Sequence, residues 1–151
     1  MKCFYWNLRG LANSPTKLAL KKLLVKNKPN ICFLSEPWMP ISNLSQRWLQ
    51  NLGFKVFTVN DRHNLTPNLW CMCSSNLYPT LVNLDDQQIS IKVDVTGKEF
   101  SITSVYASTC YIKRRLLWSA ISNIHAQHDI PWSCIGDFNS ILGSHEQRSH
   151  Y

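Results

Sequence analysis

The chain's 151 residues, 44% hydrophobic and 17% charged, suit one globular domain with an ordinary core and exclude disordered, fibrous and collagen-like classes. Sixteen Lys and Arg against nine Asp and Glu leave a formal charge of +7, a balance suited to a polyanionic partner. The first residues lack a long apolar run followed by small residues, no stretch approaches a membrane span, and the six cysteines lie mostly inside apolar runs, so the sequence predicts an intracellular protein, nuclear or cytoplasmic, with reduced core thiols and no membrane partner.

Residues 2–6 predict a short buried strand, and Asn7-Leu8-Arg9-Gly10 the loop that ends it. Ser14-Pro15 predicts a helix start, with the hydroxyl as N-cap and proline first in the helix, where its missing N–H costs nothing. Ala19, Leu20, Leu23 and Leu24 then form an inward stripe, while Lys17, Lys21, Lys22, Lys26 and Lys28 give the helix a basic outer face. Pro29-Asn30 breaks it. Residues 31–34 are continuously apolar, as in a strand buried on both faces, and lead into Ser35-Glu36-Pro37. A second helix over residues 42–52 turns Leu44, Trp48 and Leu52 inward, with Gly53 as its C′ residue, and residues 54–59 return as a strand.

From Leu69 the texture is β: residues 69–73, 80–84, 89–95 and 100–105 are short runs divided by turn residues and predict a meander of three to four consecutive strands. Ile89, Ile91, Val93 and Val95 alternate with Ser90, Lys92, Asp94 and Thr96, which predicts one buried and one wet face, and Thr96-Gly97-Lys98 turns the hairpin. Residues 114–126 predict a third helix with Leu117, Ala120, Ile121 and Ile124 inward, and residues 132–135 a strand that ends in Gly136-Asp137-Phe138-Asn139. Helices alternating with buried strands, plus an antiparallel run, give the expected fold: an α/β sandwich of mixed sheets flanked by helices. Cys71 and Cys73, two apart on one strand, are expected to share a face and to bind no metal.

Asn7, Glu36, Tyr106 and the pair Asp137 and Asn139 all follow strand ends, positions that converge at one rim of an α/β sheet where ligands bind. Taken singly, each has a structural explanation: Asn7, Asp137 and Asn139 as turn residues, Glu36 as a solvated loop carboxylate, Tyr106 as a core aromatic with its hydroxyl at the surface. Together they offer a different chemistry. Glu36 and Asp137 are the hard oxygen donors that magnesium takes, one or two carboxylates with phosphate and water completing an octahedron, and asparagine amides can donate to phosphate oxygens without adding repulsion.

Four segments carry a resemblance across nearly the whole chain: Trp6-Asn7-Leu8-Arg9-Gly10-Leu11, then Lys28 through Met39 with its Ser35-Glu36-Pro37-Trp38-Met39, then Val105-Tyr106-Ala107-Ser108, then Pro131 through Asn139 ending in Gly-Asp-Phe-Asn. In this order they resemble the endonuclease/exonuclease/phosphatase superfamily, in the branch carried by LINE-type (non-LTR) retrotransposons and most like plant elements. The resemblance implies a phosphodiesterase dependent on Mg2+ (or Mn2+) that nicks DNA, with no small-molecule cofactor. It implies that Glu36 binds the metal with support from Asn7, that Tyr106 contacts the scissile phosphate, and that Asp137 and Asn139 position the attacking water and the phosphate. Arg9, Lys113 and Arg114 are assigned to the nucleic acid, and Arg9 stands where abasic-site repair relatives carry an acidic residue, which favours intact DNA as substrate. Other superfamily branches hydrolyse phosphoinositides or sphingomyelin, but the segments around Glu36 and Tyr106 resemble the retrotransposon branch.

Members of that superfamily continue past Gly-Asp-Phe-Asn to a Ser-Asp-His signature that supplies an acid/base pair. Here His145 and His150 follow Asn139 too closely to fill that place. The expectation is therefore one domain over residues 1–151, truncated at its C-terminal end, with an apolar sheet edge exposed and little activity. The alternative is a non-catalytic remnant that binds nucleic acid weakly through the lysine face of the first helix.

Overall fold

The computed structural model describes residues 1–127 and 129–140. In chain order the elements are β1 (Cys3–Asn7), α1 (Ser14–Asn27), β2 (Ile31–Ser35), a 3-10 turn at Ile41–Asn43, α2 (Gln46–Asn51), β3 (Phe54–Val59), β4 (Leu69–Ser74), β5 (Thr80–Leu84), β6 (Gln88–Val95), β7 (Lys98–Tyr106), α3 (Tyr111–Gln127) and β8 (Trp132–Asp137). They build two four-stranded sheets, ordered β1-β2-β4-β3 and β5-β6-β7-β8. In the first, α1 carries the chain across so that β1 and β2 run parallel, and β4 and β3 follow antiparallel. The second starts as an antiparallel meander and closes with β8 parallel to β7 after the crossover through α3. Each sheet thus ends on a βαβ unit, and the two outermost parallel strands, β1 and β8, touch across the sandwich.

Three apolar layers hold these sheets and helices. Ile31, Phe33, Cys71 and Cys73 meet Ile89, Ile91, Val93 and Ile102 between the sheets. Cys32, Leu34, Trp70 and Met72 point the other way, against Leu20 and Leu24 of α1 and Leu49 of α2. Val105 and Ala107 pack under Leu117 and Ile121 of α3. Because β2 and β4 are covered on both faces, almost all their residues are buried and their sequences read as unbroken apolar runs.

Several local expectations need correction. The cap of α1 is Asn13, whose side-chain oxygen accepts the Thr16 N–H at 2.8 Å, and Ser14 already lies inside the helix. In α1 the fully buried residues are Leu20 and Leu24. The helix expected over residues 42–52 is a 3-10 turn followed by six residues of α2, because the Ser45 hydroxyl caps at Trp48 N (3.2 Å) and restarts the helix there; Leu49 is buried in place of Trp48. β1 is a half-buried edge strand instead of a buried one. Of the three to four strands expected in the meander, three form it, β5, β6 and β7, and β4 belongs to the other sheet. Ser90 is not on a wet face: its hydroxyl donates to Gln88 Oε1 (2.6 Å) and meets Thr103 Oγ1 (2.7 Å), which also accepts the Trp132 indole N–H, so a buried polar chain crosses β6, β7 and β8. The hairpin turn stands as expected, with Thr96 and Gly97 both at positive φ between paired Val95 and Lys98.

Gly136 lies opposite Val105 in the β7–β8 ladder at φ 154°, and a Cβ there would run into the Val105 carbonyl. Backbone cannot yield as a flexible side chain can. Gly136→Ala is therefore expected to destabilise the fold by about 3 kcal/mol or more, measured as a drop in the urea midpoint, and an unchanged midpoint would refute this close approach.

Candidate active site

The parallel β1–β2 pair brings Asn7 beside Ser35, and the chain then turns sharply at Glu36, which sits in the left-handed region at φ 51°. The turn is held on both sides: the Glu36 N–H donates to the Asn68 carbonyl (2.9 Å) and the Glu36 carbonyl accepts from Gly10 N (2.8 Å). From β1, Asn7 Nδ2 donates to Glu36 Oε1 at 2.7 Å. From the opposite sheet, the Tyr106 hydroxyl donates to the same oxygen at 2.8 Å. Among the described residues no donor meets Oε2, which leaves a carboxylate fixed at one oxygen and open at the other.

Tyr106 ends β7 beside Asp137 at the end of β8. Asp137 Oδ1 accepts the Asn139 N–H (3.0 Å), the Asp137 carbonyl accepts from Ala107 N (2.8 Å), and Asn139 Nδ2 returns to the Ala107 carbonyl (2.7 Å) with Asn139 itself at φ 45°. Phe138 between them is turned under α3, stacked on Trp118 with ring centroids 5.9 Å apart. The turn is therefore pinned by packing on one side and by hydrogen bonds on the other. All five rim residues predicted from the sequence come together.

Two tyrosines register the charge of this rim. Burial pushes the Tyr106 hydroxyl far above its ordinary value, and its hydrogen bond to Glu36 and the negative charges of Glu36 and Asp137 push the same way. Tyr5 lies beneath, donating to Ser35 Oγ at 2.7 Å; burial, with smaller contributions from Asp137 and Glu36, raises it to about 12 against the lowering effect of the Ser35 bond. Both stay neutral donors through the physiological range.

The basic residues divide. Arg9 is exposed beside the rim, its N–H donating to Asn7 Oδ1 at 3.3 Å. Lys113 lines a polar cavity of about 200 Å³ together with Tyr106, Asn139 and Arg62. Arg114 turns inward, its Nη1 donating to the carbonyls of Ser108 and Thr109 at 2.8 Å each, so its guanidinium braces the loop after β7. Cys71 and Cys73 share the inter-sheet face as expected. His145 and His150 lie outside the described residues. Among the described residues no three His, Cys, Asp or Glu side chains converge as a metal-ligating group. The open Glu36 oxygen and the Asp137 carboxylate still fit magnesium, which needs only one or two carboxylates with phosphate and water.

Sequence reasoning missed the amides that hold this rim. Asn60 is 1% exposed; its Oδ1 accepts from Asn68 N (3.0 Å) and Leu69 N (2.9 Å), and its Nδ2 donates to Asn68 Oδ1 (2.9 Å) and the Asp86 carbonyl (2.8 Å). It fixes Asn68, whose carbonyl holds Glu36. Gln87, 4% exposed, accepts from Ser108 N (2.8 Å) and donates to the Lys113 carbonyl (3.0 Å), while its own carbonyl accepts from Tyr106 N (2.9 Å). The sequence signal was faint: an Asn just after an apolar strand, and a Gln pair just before one.

Because folding favours the neutral form of both tyrosines, their contribution to stability is complete below the unfolded tyrosine pKa of about 10. It is lost as pH rises past that value, across the window from 10.0 to about 12 for Tyr5. Titration at 295 nm is expected to resolve a late tyrosinate phase coincident with alkaline unfolding, and Tyr106→Phe should shrink its amplitude. A single phase near pH 10 for all tyrosines would contradict the rim geometry.

No protein-family model and no curated protein matches the chain. Solved structures do. The endonuclease domain of TRAS1, a telomere-specific non-LTR retrotransposon, superposes with a TM-score of 0.70 at 14% identity, over 93% of this chain and 61% of that one. The AP endonuclease from Archaeoglobus fulgidus gives 0.66 at 15% identity, over 92% and 57%. The 3′ phosphatase NExo from Neisseria, bound to product DNA hairpin, gives 0.65 at 18% identity, over 92% and 58%. Such identities establish a shared fold, the α/β sandwich of mixed sheets and flanking helices expected from the sequence. The chain spans 57–61% of the length of these three structures. A retrotransposon endonuclease stands beside an AP endonuclease and a 3′ phosphatase here, so the fold by itself selects no activity.

Proposed function

We propose that the rim around Glu36 is the site of a divalent-metal phosphodiesterase that nicks DNA, of the kind carried by LINE-type retrotransposons. The observation that carries this is the Glu36 carboxylate, with one oxygen held by Asn7 and Tyr106 from two different sheets and the other without a donor among the described residues, at a rim where Tyr106 pairs with Asp137 and Asp137 holds Asn139. Glu36 Oε2 and Asp137 would hold Mg2+ (or Mn2+), which when bound polarises a phosphoryl group and lowers the pKa of a coordinated water. Asn7 keeps the Glu36 carboxylate from rotating. Tyr106, kept neutral, can offer its O–H to a phosphate oxygen once Glu36 is engaged elsewhere. Asp137, oriented by the Asn139 N–H, is placed to accept a hydrogen bond from an attacking water, and no sequence-specific contact is required of any of them.

The +7 charge, the exposed Arg9 and the Lys113 cavity support a nucleic-acid substrate. The four ordered segments support the retrotransposon assignment, and the fold shared with the TRAS1 endonuclease domain is compatible with it without selecting it.

Supercoiled plasmid at low salt with magnesium is the test. Glu36→Gln is expected to reduce nicking by at least about 10²-fold, as loss of a charge-bearing group in a preorganised site does. Tyr106→Phe removes one charge-assisted hydrogen bond and should cost about 10–100-fold. Nicking that survives both chelation by EDTA and Glu36→Gln would overturn the assignment.

A further inference from the structure

Beside the rim lies a second feature that the phosphodiesterase chemistry does not use. Trp38, two residues after Glu36, leaves 68% of its surface exposed, yet it is held in place. Its backbone is in the left-handed region at φ 52°, and its ring lies against Gly10, where a Cβ would come within 3.1 Å of the indole Cε3. Gly10 and Leu11 donate their N–H groups to the Glu36 and Pro37 carbonyls, both at 2.8 Å, so the ring shares a support with Glu36. The exposed face of Trp38 borders a cavity of about 260 Å³ walled by Met39, Pro40, Pro67 and Arg62.

Arg62 is common to this mainly apolar cavity and to the polar cavity of Tyr106, Asn139 and Lys113. It rises from the 61–67 loop, whose two ends are joined by the buried Asn60. One of its guanidinium nitrogens donates to the Thr66 carbonyl at 3.0 Å, which steadies the group while its other N–H donors remain to meet a ligand. An apolar slot with an aromatic floor therefore lies on one side of a cation, and the catalytic rim on the other.

We propose that the Trp38 cavity is a nucleobase subsite. A base unstacked from a strand next to the phosphate at the rim lies on the Trp38 indole, and Arg62 holds the phosphate that links that nucleotide toward Tyr106 and Asn139. Stacking on an aromatic face is tolerant of base identity, and a guanidinium suits a phosphate oxygen pair, so the ligand is a strand whose bases are free to splay: single-stranded or locally unpaired nucleic acid. This rests on the proposed nuclease site for the position of the cleaved phosphate, whereas the binding it requires can be measured without cleavage.

The probe is a single-stranded DNA octanucleotide containing 2-aminopurine, with the full chain in EDTA and low salt and the matched duplex for comparison. The single strand is expected to lose fluorescence on binding through stacking, and the duplex to show little change. Trp38→Ala should weaken single-strand binding by about tenfold or more, with Trp38→Phe retaining most of it. Arg62→Ala should weaken binding and lower the salt slope by about 0.7, the value for one phosphate contact on a single strand. Unchanged quenching and affinity in Trp38→Ala would overturn the subsite, and leave the nuclease assignment intact if Glu36→Gln still abolishes plasmid nicking. No binding of either oligonucleotide by the unmodified chain, with nicking indifferent to Glu36→Gln, would overturn both.

Discussion

One carboxylate oxygen ties the two sheets together at the rim. Glu36 Oε1 accepts Asn7 from the strand beside it and Tyr106 from across the sandwich. A carboxylate can take several donors, and two charge-assisted bonds on one oxygen fix its plane without using the second oxygen. The cost is local strain: Glu36 adopts a left-handed backbone that ordinary residues avoid, as do Trp38 and Asn139. With Arg9 at φ 48° as well, four such residues lie in or beside one rim, which means that hydrogen bonds and packing there over-determine the backbone.

That over-determination comes from buried amides. Asn60 and Gln87 each satisfy backbone groups of two or three separate segments, and neither side chain is open to solvent. A loop carries backbone polar groups that must be paired if it is to approach a core, and here side chains take the part that a further strand would otherwise play. The loops after β2, β3 and β7 are consequently tied to buried side chains, although their sequences show no regular period. Catalytic-type side chains on irregular backbone can hold their geometry only with such support.

How much was legible in the sequence follows from the range of each interaction. The strands β2 to β8 and the three helices were readable because apolar periodicity and turn chemistry act within a few residues. The five rim residues were readable because each follows a strand end, and parallel neighbours align their ends. The start of α1 was misread by one residue because Asn13 and Ser14 are both good caps and only the Thr16 bond chooses between them. Local texture leaves three or four strands for the meander because the sheet membership of β4 is decided by pairing with Ile31–Ser35, far back in the chain. Ser90 was given a wet face because alternation reveals which side a residue takes, not whether a helix covers that side or whether a polar partner such as Thr103 waits there. Asn60, Gln87 and Arg62 were missed for the same reason, since their partners are set by tertiary approach.

Electrostatics explains why the basic residues stand where they do. Two carboxylates at one rim repel a phosphodiester: a pair of unit charges about 4 Å apart interacts by roughly 4 kcal/mol at an effective dielectric near 20. Among the described residues nothing in the immediate shell of Glu36 offsets this, because its donors Asn7 and Tyr106 are neutral, and Tyr106 is held neutral first by burial and then by its bond to Glu36 and the same negative charges. A hard cation between carboxylates and phosphate is what the proposed chemistry requires of such a shell. The side-chain cations stand further out, with Arg9 beside the Asn7 turn and Arg62 and Lys113 around the adjoining cavity. They form no ion pair with Glu36 or Asp137, which would close the open carboxylate oxygens, and in the proposed function they would attract a polyanion and align its flanking phosphates. On the proposed reading, net positive charge over the molecule and local negative charge at its rim are two parts of one arrangement, in which long-range attraction would deliver a strand and the uncompensated carboxylates would select the cation that lets it bind.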